Sequence, residues 1–400
     1  MTNDVDGHLV LGLGGTVDYE LRWDAGTLED IAAEHAVHRG ELTGSAPIID
    51  ERSLLVAVLA FVSQGVGAER FVASSEIVER FASRFAHDVT LGGTGVRAGL
   101  VLDRLGIPSV QHLVSIDDNV RRLLPPSITI LCSATRDTLD PHLIVQYPAG
   151  TRIRLLDGEI QAPASNRLIF ANDPPNREMA LAAELPAALA TASAFLISGF
   201  NTMQDPQLLE ERLVALTRAL RALPDGALVY YEDAGFYTRA FSEIVRSHLG
   251  ARIDVHGMNE DELQEHLGRS VDLLDADDVR SALDDARRIV GARVLLVHTR
   301  YWAIAIGHDA ERHRSAVESA VRVAATRYRL GDALTASAVE ATSRMPRHPG
   351  GAAVVAAIES SPETVGVPAH VLDVPHPTTI GLGDSFVGGF LAGTTRTDRR

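Results

Sequence analysis

The most conspicuous absence in this 400-residue sequence is lysine, which occurs at no position. Any site that binds an anion must therefore use arginine, histidine or backbone N–H groups, and arginine suits phosphate well. Cysteine is nearly absent too, because Cys132 is the only one. A single cysteine excludes an intramolecular disulfide and a cysteine-based metal site within one chain.

Long apolar runs and an excess of positive charge are also missing. No apolar stretch is long enough to span a bilayer. The formal net charge of −16 gives a surface that repels nucleic acid and anionic membranes. The segment 1–8 is polar and acidic, unlike a secretory leader. We therefore expect a cytoplasmic protein that binds neither nucleic acid nor membranes.

The residues that are present predict an α/β protein. A hydrophobic fraction of 46% is ordinary for a chain with a sizeable core, and the length allows one large domain plus a smaller one. From residue 173 onward, helical and strand patterns alternate, with strands predicted at 194–197, 227–231, 252–255 and 294–298. This alternation indicates a sheet covered by helices on both faces.

Residues 107–172 have a different sequence pattern, in which short runs of strand-forming residues follow one another. Residues 152–161 predict a hairpin around an Asp157-Gly158 turn. Hairpins fit poorly in a parallel α/β core. They indicate a small, sheet-rich lid inserted into the larger domain.

The strongest local signal for chemistry is the segment Gly381-Leu382-Gly383-Asp384, which leads directly into an apolar helix. Free backbone N–H groups at a helix N-terminus favour an anion. A carboxylate at the same point can accept a proton from an attacking hydroxyl while those groups hold a moving phosphoryl group. The alternative is that Asp384 only caps the helix.

Carboxylates and an amide follow two of the predicted strands. Glu232 ends one strand, and Asn259 and Glu262 follow the next. Ligands bind at the carboxyl ends of strands in α/β sheets, and carboxylates there could hold Mg²⁺ through water. The alternatives are a solvated carboxylate at Glu232 and an ordinary capping box at Asn259 to Glu262.

Taken in order along nearly the whole chain, these segments resemble the ADP-dependent sugar kinases of the ribokinase-like superfamily, which include glucokinases and phosphofructokinases. The resemblance is carried by segments 12–18, 67–71, 92–94, 166–173, 197–201, 230–232, 258–263, 297–299 and 379–384. It implies a ribokinase-like central, mostly parallel sheet with helices on both faces, plus a small β-rich lid. The large nucleotide-binding core is expected at 1–17, 51–134 and 173–400, and the lid at 18–50 and 135–172.

The resemblance also implies a function: Mg²⁺-dependent transfer of a phosphoryl group from ADP to a sugar hydroxyl, with AMP as the other product. Asp384 would be the catalytic base. The remaining roles it implies are acceptor binding by Asp18, Glu69, Gly92, Gly93 and Thr94; nucleotide binding by Gly381, Leu382, Gly383, Arg167 and His298; and metal binding by Glu232, Asn259 and Glu262.

The sequence departs from the family pattern at three positions, and the two on the sugar side, Gly14 and Thr94, leave the acceptor open. Gly14 stands where the family has Asn, Thr94 where it has Asn or Gln, and Tyr230 where it has His. A carboxamide both donates to and accepts from sugar hydroxyls, whereas glycine offers only its backbone. The acceptor could be glucose, a sugar phosphate such as fructose 6-phosphate, or a nucleoside, with ADP or ATP as donor. A non-catalytic sugar or nucleotide sensor is the alternative from another class.

Overall fold

The computed structural model describes residues 7–359, 363–374, 378 and 380–397. Its strands are β1 (His8–Leu11), β2 (Thr16–Leu21), β3 (Ala68–Phe71), β4 (His87–Gly92), β5 (Ser109–Leu113), β6 (Ile128–Cys132), β7 (His142–Tyr147), β8 (Arg152–Leu155), β9 (Gly158–Gln161), β10 (Asn166–Ala171), β11 (Ala192–Ile197), β12 (Leu228–Glu232), β13 (Val255–Asn259), β14 (Val294–His298), β15 (Trp302–Gly307) and β16 (Thr364–Pro368).

The α-helices over the same residues are α1 (Ala25–Glu34), α2 (Glu51–Gln64), α3 (Ser75–Ala82), α4 (Thr94–Arg104), α5 (Asp118–Leu123), α6 (Pro174–Glu178), α7 (Leu185–Leu189), α8 (Pro206–Ala219), α9 (Ala240–Leu249), α10 (Glu260–Leu267), α11 (Ala276–Val290), α12 (Arg314–Leu330), α13 (Ala336–Ser343), α14 (Pro349–Ile358) and α15 (Leu382–Thr397). None of the helices in these described ranges is both long and apolar enough to cross a bilayer.

A nine-stranded sheet forms the centre of the molecule, in the order β16-β15-β14-β13-β12-β11-β1-β5-β6. The strands from β14 to β6 pair in parallel, and β15 and β16 add an antiparallel edge. Alternate residues of these strands pack against helices on opposite faces. Leu9 and Leu11 belong to the cluster with α4, α12 and α15, whereas Val10 packs with α7, α8 and α9. The predicted mostly parallel, doubly covered sheet is confirmed.

A second sheet of five strands has the order β3-β10-β7-β2-β4. One face packs on α1, α2 and α3 through Leu21, Leu143, Val145 and Leu168. Because side chains alternate along a strand, the opposite face carries Asp18, Glu20 and His142. We call this polar face, which is turned towards the large sheet, the cleft face.

Sheet membership differs from the predicted ranges at residues 51–92. We expected them in the large core, but α2, β3, α3 and β4 pack in or on the small sheet. The reason is tertiary: β3 pairs with β10 and β4 pairs with β2, whose hydrogen bonds join segments far apart in the chain. The small sheet therefore draws its strands from four separate parts of the sequence.

The elements predicted from local sequence patterns form, but the bounds of one strand near the site differ from the prediction. The hairpin at 152–161 forms as β8 and β9. The strand predicted at 252–255 was wrong in its bounds, because β13 runs from Val255 to Asn259 and residues 250–252 form a 3-10 turn. The shift brings Asn259 to the last position of a strand that belongs to the central sheet.

One buried histidine gives the fold a pH dependence. His112 on β5 is fully buried, and its Nε2 accepts a hydrogen bond from the backbone N–H of Ala182 at 3.0 Å. Burial lowers the pKa of His112 to about 4. In the unfolded chain the pKa is about 6.5, so the unfolded state gains a proton first as the pH falls.

We expect the free energy of unfolding to fall between pH 6.5 and pH 4, with a loss of about 2 kcal/mol from this group at pH 5. Urea unfolding at pH 7.5 and pH 5.0, compared between the wild type and His112→Gln, isolates the contribution because all other groups are shared. An equal loss in both proteins would contradict it.

Candidate active site

Three neighbouring parallel strands bring predicted site residues to one edge of the large sheet. The strands β12, β13 and β14 end at Glu232, Asn259 and His298. Asn259 pairs in register with His298, and Glu232 pairs with Gly257. The side chains that the sequence assigned separately to metal and nucleotide thus share one edge.

Glu232 is 6% exposed and holds two hydrogen bonds there. His298 Nε2 lies 2.9 Å from Oε1, and the Tyr230 hydroxyl donates to Oε2 at 3.0 Å. Gly257 makes room for this arrangement, because a Cβ added to it would lie 2.1 Å from Glu232 Oε2. Tyr230, which replaces the family histidine, therefore still supplies a donor to the carboxylate.

Asn259 and Glu262 form the capping box that was the alternative interpretation of this motif. Asn259 Oδ1 accepts from the N–H groups of Asp261 and Glu262 at 2.8 and 3.0 Å, and Glu262 Oε2 accepts from the N–H of Asn259 at 2.8 Å. Burial, followed by the negative charge of Glu232, raises the pKa of Glu262 well above its usual range. Glu262 therefore takes part in the capping box with Asn259 and also lies near the carboxylate of Glu232.

The residues at this edge fit a hard divalent cation held through water. Two carboxylates lie close enough for the charge of Glu232 to act on Glu262, an environment that a cation would relieve. Within the described part of the chain, no group of three or more His, Cys, Asp or Glu side chains could hold a metal ion directly. The metal role of Glu232, Asn259 and Glu262 stays a prediction.

A cavity of ≈ 740 Å³ opens beside these strand ends. Its wall includes Asn259, His298, Leu382 and Gly383. The His298 ring stacks on Phe386 of α15 with centroids 4.4 Å apart. Four residues predicted for nucleotide or metal binding therefore line one cavity, which is large enough for a nucleotide.

Asp384 lies in the first turn of α15, the third residue of a helix that begins at Leu382. Gly381, just before the helix, has φ +68°, a conformation that favours glycine. The Asp384 side chain is 23% exposed, and its ion-pair partner is Arg97, with Nε 3.9 Å from Oδ2. Because it stands inside the helix, Asp384 does not occupy the N-cap position of the alternative interpretation.

Small residues hold α15 close to its neighbours and so fix the position of Asp384. A Cβ on Gly388 would lie 2.9 Å from the carbonyl oxygen of Ala98 on α4, and one on Gly389 would lie 2.8 Å from Cα of Ala320 on α12. The apolar glycine-rich sequence after Asp384 is thus required by close helix packing.

The acceptor side is built from the cleft face and the start of α4. Asp18 is 5% exposed, and the Thr16 hydroxyl donates to its Oδ1 at 2.6 Å. A Cβ on Gly92 would lie 2.4 Å from Asp18 Oδ2, so no side chain fits there. Gly93 has φ +91° and is the N-cap of α4, whose first residue is Thr94. These predicted acceptor residues lie together.

Glu69 and Arg167 lie farther along the cleft face and line a different cavity, of ≈ 660 Å³. Glu69 accepts a hydrogen bond from the Tyr237 hydroxyl at 3.2 Å, and Tyr237 also packs on Phe71 with ring centroids 4.4 Å apart. The structure does not bring Arg167 together with the other predicted nucleotide residues, because β10 belongs to the small sheet.

Sequence reasoning missed three polar residues in this region. Arg97 contacts Asp18 as well as Asp384. His142 pairs with Asp173, with Nε2 2.9 Å from Oδ2; this contact and the charge of Asp173 raise the pKa of His142 against the effect of burial. The third is Asn176. For Arg97, the sequence feature that could have indicated a functional role is its position as a charged residue among the small and apolar residues of a predicted helix.

Asn176 fills the space that the family asparagine would take at position 14. A Cβ on Gly14 would lie 2.1 Å from Asn176 Oδ1, and Gly14 has φ +74°. Asn176 Nδ2 donates to the Gly15 carbonyl at 2.9 Å and to Asp173 Oδ2 at 2.7 Å. A carboxamide from another segment, Asn176, therefore lies directly beside position 14.

We expect Gly14→Asn to lower stability and acceptor affinity because its side chain collides with Asn176. Asparagine tolerates a positive φ, so the collision and not the backbone is the main cost. The double variant Gly14→Asn/Asn176→Gly should recover most of the stability. Urea unfolding and acceptor KM for the single and double variants form the test; additive effects would contradict the shared space.

The chain matches a known protein family over nearly its whole length. Residues 8–392 match the profile described as the ADP-specific Phosphofructokinase/Glucokinase conserved region. Over 217 residues the chain is 27% identical to the "Probable ADP-dependent glucokinase" of Caenorhabditis elegans, a match covering 51% of this chain and 41% of that protein. The match therefore spans less than half the length of that relative.

Solved structures share the whole fold. A phosphofructokinase from Pyrococcus horikoshii OT3, determined with AMP, has a TM-score of 0.80 at 16% identity and covers 98% of this chain and 99% of its own. An ADP-dependent kinase in complex with fructose-6-phosphate and ADPβS has a TM-score of 0.72 at 14% identity, with coverage of 97% and 93%. At these identities the likeness shows the fold, and the predicted α/β fold with a mostly parallel central sheet and a second, smaller sheet is confirmed.

Proposed function

Because the chain belongs to the ADP-specific phosphofructokinase/glucokinase family, a family of ADP-dependent sugar kinases, we propose that it transfers the β-phosphoryl group of ADP to a sugar hydroxyl. The observation that carries this proposal is the convergence of two sheets on Asp384. Arg97 links the Asp384 carboxylate to Asp18 on the acceptor side, and Gly383, next to Asp384 in the chain, lines the cavity that also includes His298.

In the proposed reaction, Asp384 accepts the proton of the acceptor hydroxyl as its oxygen bonds to the β-phosphorus. The bond to the bridging oxygen breaks, and AMP leaves with that electron pair. Backbone N–H groups at the start of α15 stabilise the charge that develops on the moving group. Asp18, with Gly92, Gly93 and Thr94, orients the acceptor.

Glu232, Asn259 and Glu262 are the residues proposed to hold Mg²⁺ through water. When bound, the ion would neutralise charge on the phosphates of the nucleotide. Of the predicted nucleotide residues, we retain Gly381, Leu382, Gly383 and His298. Arg167 is better assigned to the acceptor side, since it lies on the cleft face with Glu69.

The small sheet, with α1, α2 and α3, is proposed to act as a lid that closes over the acceptor and excludes water, which would otherwise hydrolyse the donor. Its revised extent is residues 16–92 and 142–171. The proposed location is the cytoplasm, because a chain with a single cysteine suits a reducing compartment.

An unphosphorylated sugar is the first candidate acceptor. A cluster of arginines on the cleft face would favour a sugar phosphate, but Arg167 is the one arginine that lines the ≈ 660 Å³ cavity within the described residues, and Glu69 stands beside it. Fructose 6-phosphate is the second candidate, favoured by that single guanidinium.

The test is phosphoryl transfer measured as AMP release, with Mg²⁺ and ADP or ATP as donor. The acceptors are glucose, fructose, fructose 6-phosphate, ribose and adenosine. Turnover with ADP and a sugar or sugar phosphate supports the proposal. Turnover with ATP alone removes the donor assignment. Tight sugar or ADP binding without turnover identifies a sensor and overturns the proposal.

A further inference from the structure

The Arg97 side chain contacts carboxylates in both halves of the candidate site. Its Nη2 lies 3.0 Å from Asp18 Oδ2 and 3.6 Å from Glu20 Oε1, and its Nε lies 3.9 Å from Asp384 Oδ2. Asp18 and Glu20 belong to β2 of the small sheet, whereas Asp384 lies in the first turn of α15 beside the large sheet. A single guanidinium therefore connects the acceptor carboxylate to the proposed base.

Arg97 is a single positive charge that faces three carboxylates, those of Asp18, Glu20 and Asp384. Within the described residues, Asp18 and Asp384 each form an ion pair with Arg97. Its side chain is 11% exposed. Burial alone would lower the pKa of Arg97, but the charges of Asp18 and Asp384 outweigh it and raise that pKa. Without the cation, three carboxylates would repel one another in a partly buried place.

The side chain also packs against the loop that leads into α15. A Cβ on Gly381 would lie 3.0 Å from Arg97 Cδ and 3.1 Å from its Nη1. Glycine at 381 thus lets the arginine stem lie against the loop backbone. The planar guanidinium can face two carboxylates at once, which a lysine ammonium on a flexible stem cannot do with the same geometry.

We infer that Arg97 is a positioning residue of the phosphoryl-transfer site: it holds Asp18 and Asp384 at a fixed separation, so that the acceptor hydroxyl meets the base. This inference rests on the proposed function. It assigns Arg97 no bond to substrate. Its effect follows from geometry, because misplacing reacting groups by about 1 Å can cost on the order of 100-fold in rate.

The test compares Arg97→Met and Arg97→Lys with Arg104→Met. Arg104 is a matched control: it lies seven residues along the same helix, is exposed, and has no ion pair among the described residues. For each protein, kcat, acceptor KM, ADP affinity by calorimetry and the urea unfolding midpoint are measured.

For Arg97→Met we expect kcat/KM for the acceptor to fall by about 100-fold, with ADP affinity within twofold of wild type. Arg97→Lys keeps the positive charge but loses the planar guanidinium, so its kcat/KM should lie between the values of the wild type and Arg97→Met. Arg104→Met should match wild type. Should Arg97→Met fail to fold, Arg97→Lys alone must show the reduced kcat/KM at normal ADP affinity.

Wild-type kcat/KM in both Arg97 variants would overturn the inference and leave the proposed function standing. Equal losses of ADP affinity, folding and activity would also overturn it, since that pattern marks a merely structural ion pair. A wild-type protein inactive with every donor and acceptor would overturn the proposed function first, and this inference with it.

Discussion

Replacing Asp384 by Asn is expected to lower kcat by about 100- to 10,000-fold, the range that a positioned general base contributes. Asparagine has nearly the same shape but cannot take up the hydroxyl proton. Acceptor KM should change little, because the residues assigned to the acceptor lie on the cleft face and α4. Steady-state AMP release at varied acceptor concentration measures both kcat and acceptor KM, and calorimetric ADP binding checks that the nucleotide site is intact.

The fold should survive this substitution. Asp384 is 23% exposed and lies in the first turn of α15, where losing the negative charge costs at most about 1 kcal/mol. Asp277→Asn is the matched control, since Asp277 lies in the first turn of α11 and its side chain is 92% exposed. A fully active Asp384→Asn protein would remove Asp384 as the base.

The second large effect is expected at Glu232. In Glu232→Gln the shape is kept but the charge next to Glu262 is lost. We expect kcat/KM for ADP to fall about 10- to 100-fold, as for residues that orient a metal through a water shell. The Mg²⁺ concentration for half-maximal rate should rise, and acceptor KM should stay near wild type. Titration of the rate with Mg²⁺ at fixed ADP measures this.

Tyr230→Phe is the control for Glu232→Gln. It removes only the hydroxyl that donates to Glu232 Oε2 and keeps the ring that packs on Phe390, with centroids 5.0 Å apart. A smaller loss than in Glu232→Gln would show that the carboxylate charge matters beyond its hydrogen bond. An unchanged Mg²⁺ dependence in Glu232→Gln would exclude Glu232 from the proposed metal site.

The sequence predicted the parts of the site that lie on continuous segments. Glycines before a carboxylate and an apolar helix place Asp384 at the start of α15. A strand followed by an acidic first turn places Asn259 and Glu262 at a sheet edge. These are local consequences of helix and strand geometry, so adjacent residues suffice to determine them.

Contacts between distant segments could not be predicted in this way. Arg97 and Asp18 are 79 positions apart, and Asn176 reaches Gly15 across 161 positions. Residues 51–92 were predicted to belong to the large core for the same reason. The sequences of β3 and β4 do not indicate that these strands pair with β10 and β2. Likewise, the sequence could not show that Arg167 lies on β10 of the small sheet, apart from the other predicted nucleotide residues.

By itself, the sequence determined the doubly covered parallel sheet and the order of its motifs, because hydrophobic periodicity is a property of neighbouring residues. The family resemblance that those motifs carry led to Asp384 as the proposed base. Only the tertiary structure decided what surrounds that base. It placed Arg97 between Asp384 and Asp18, and it filled the gap at Gly14 with Asn176. Such contacts depend on how the two sheets pack against each other. Residues far apart in the chain are brought together by this packing, and the local sequence around each residue does not predict its partner.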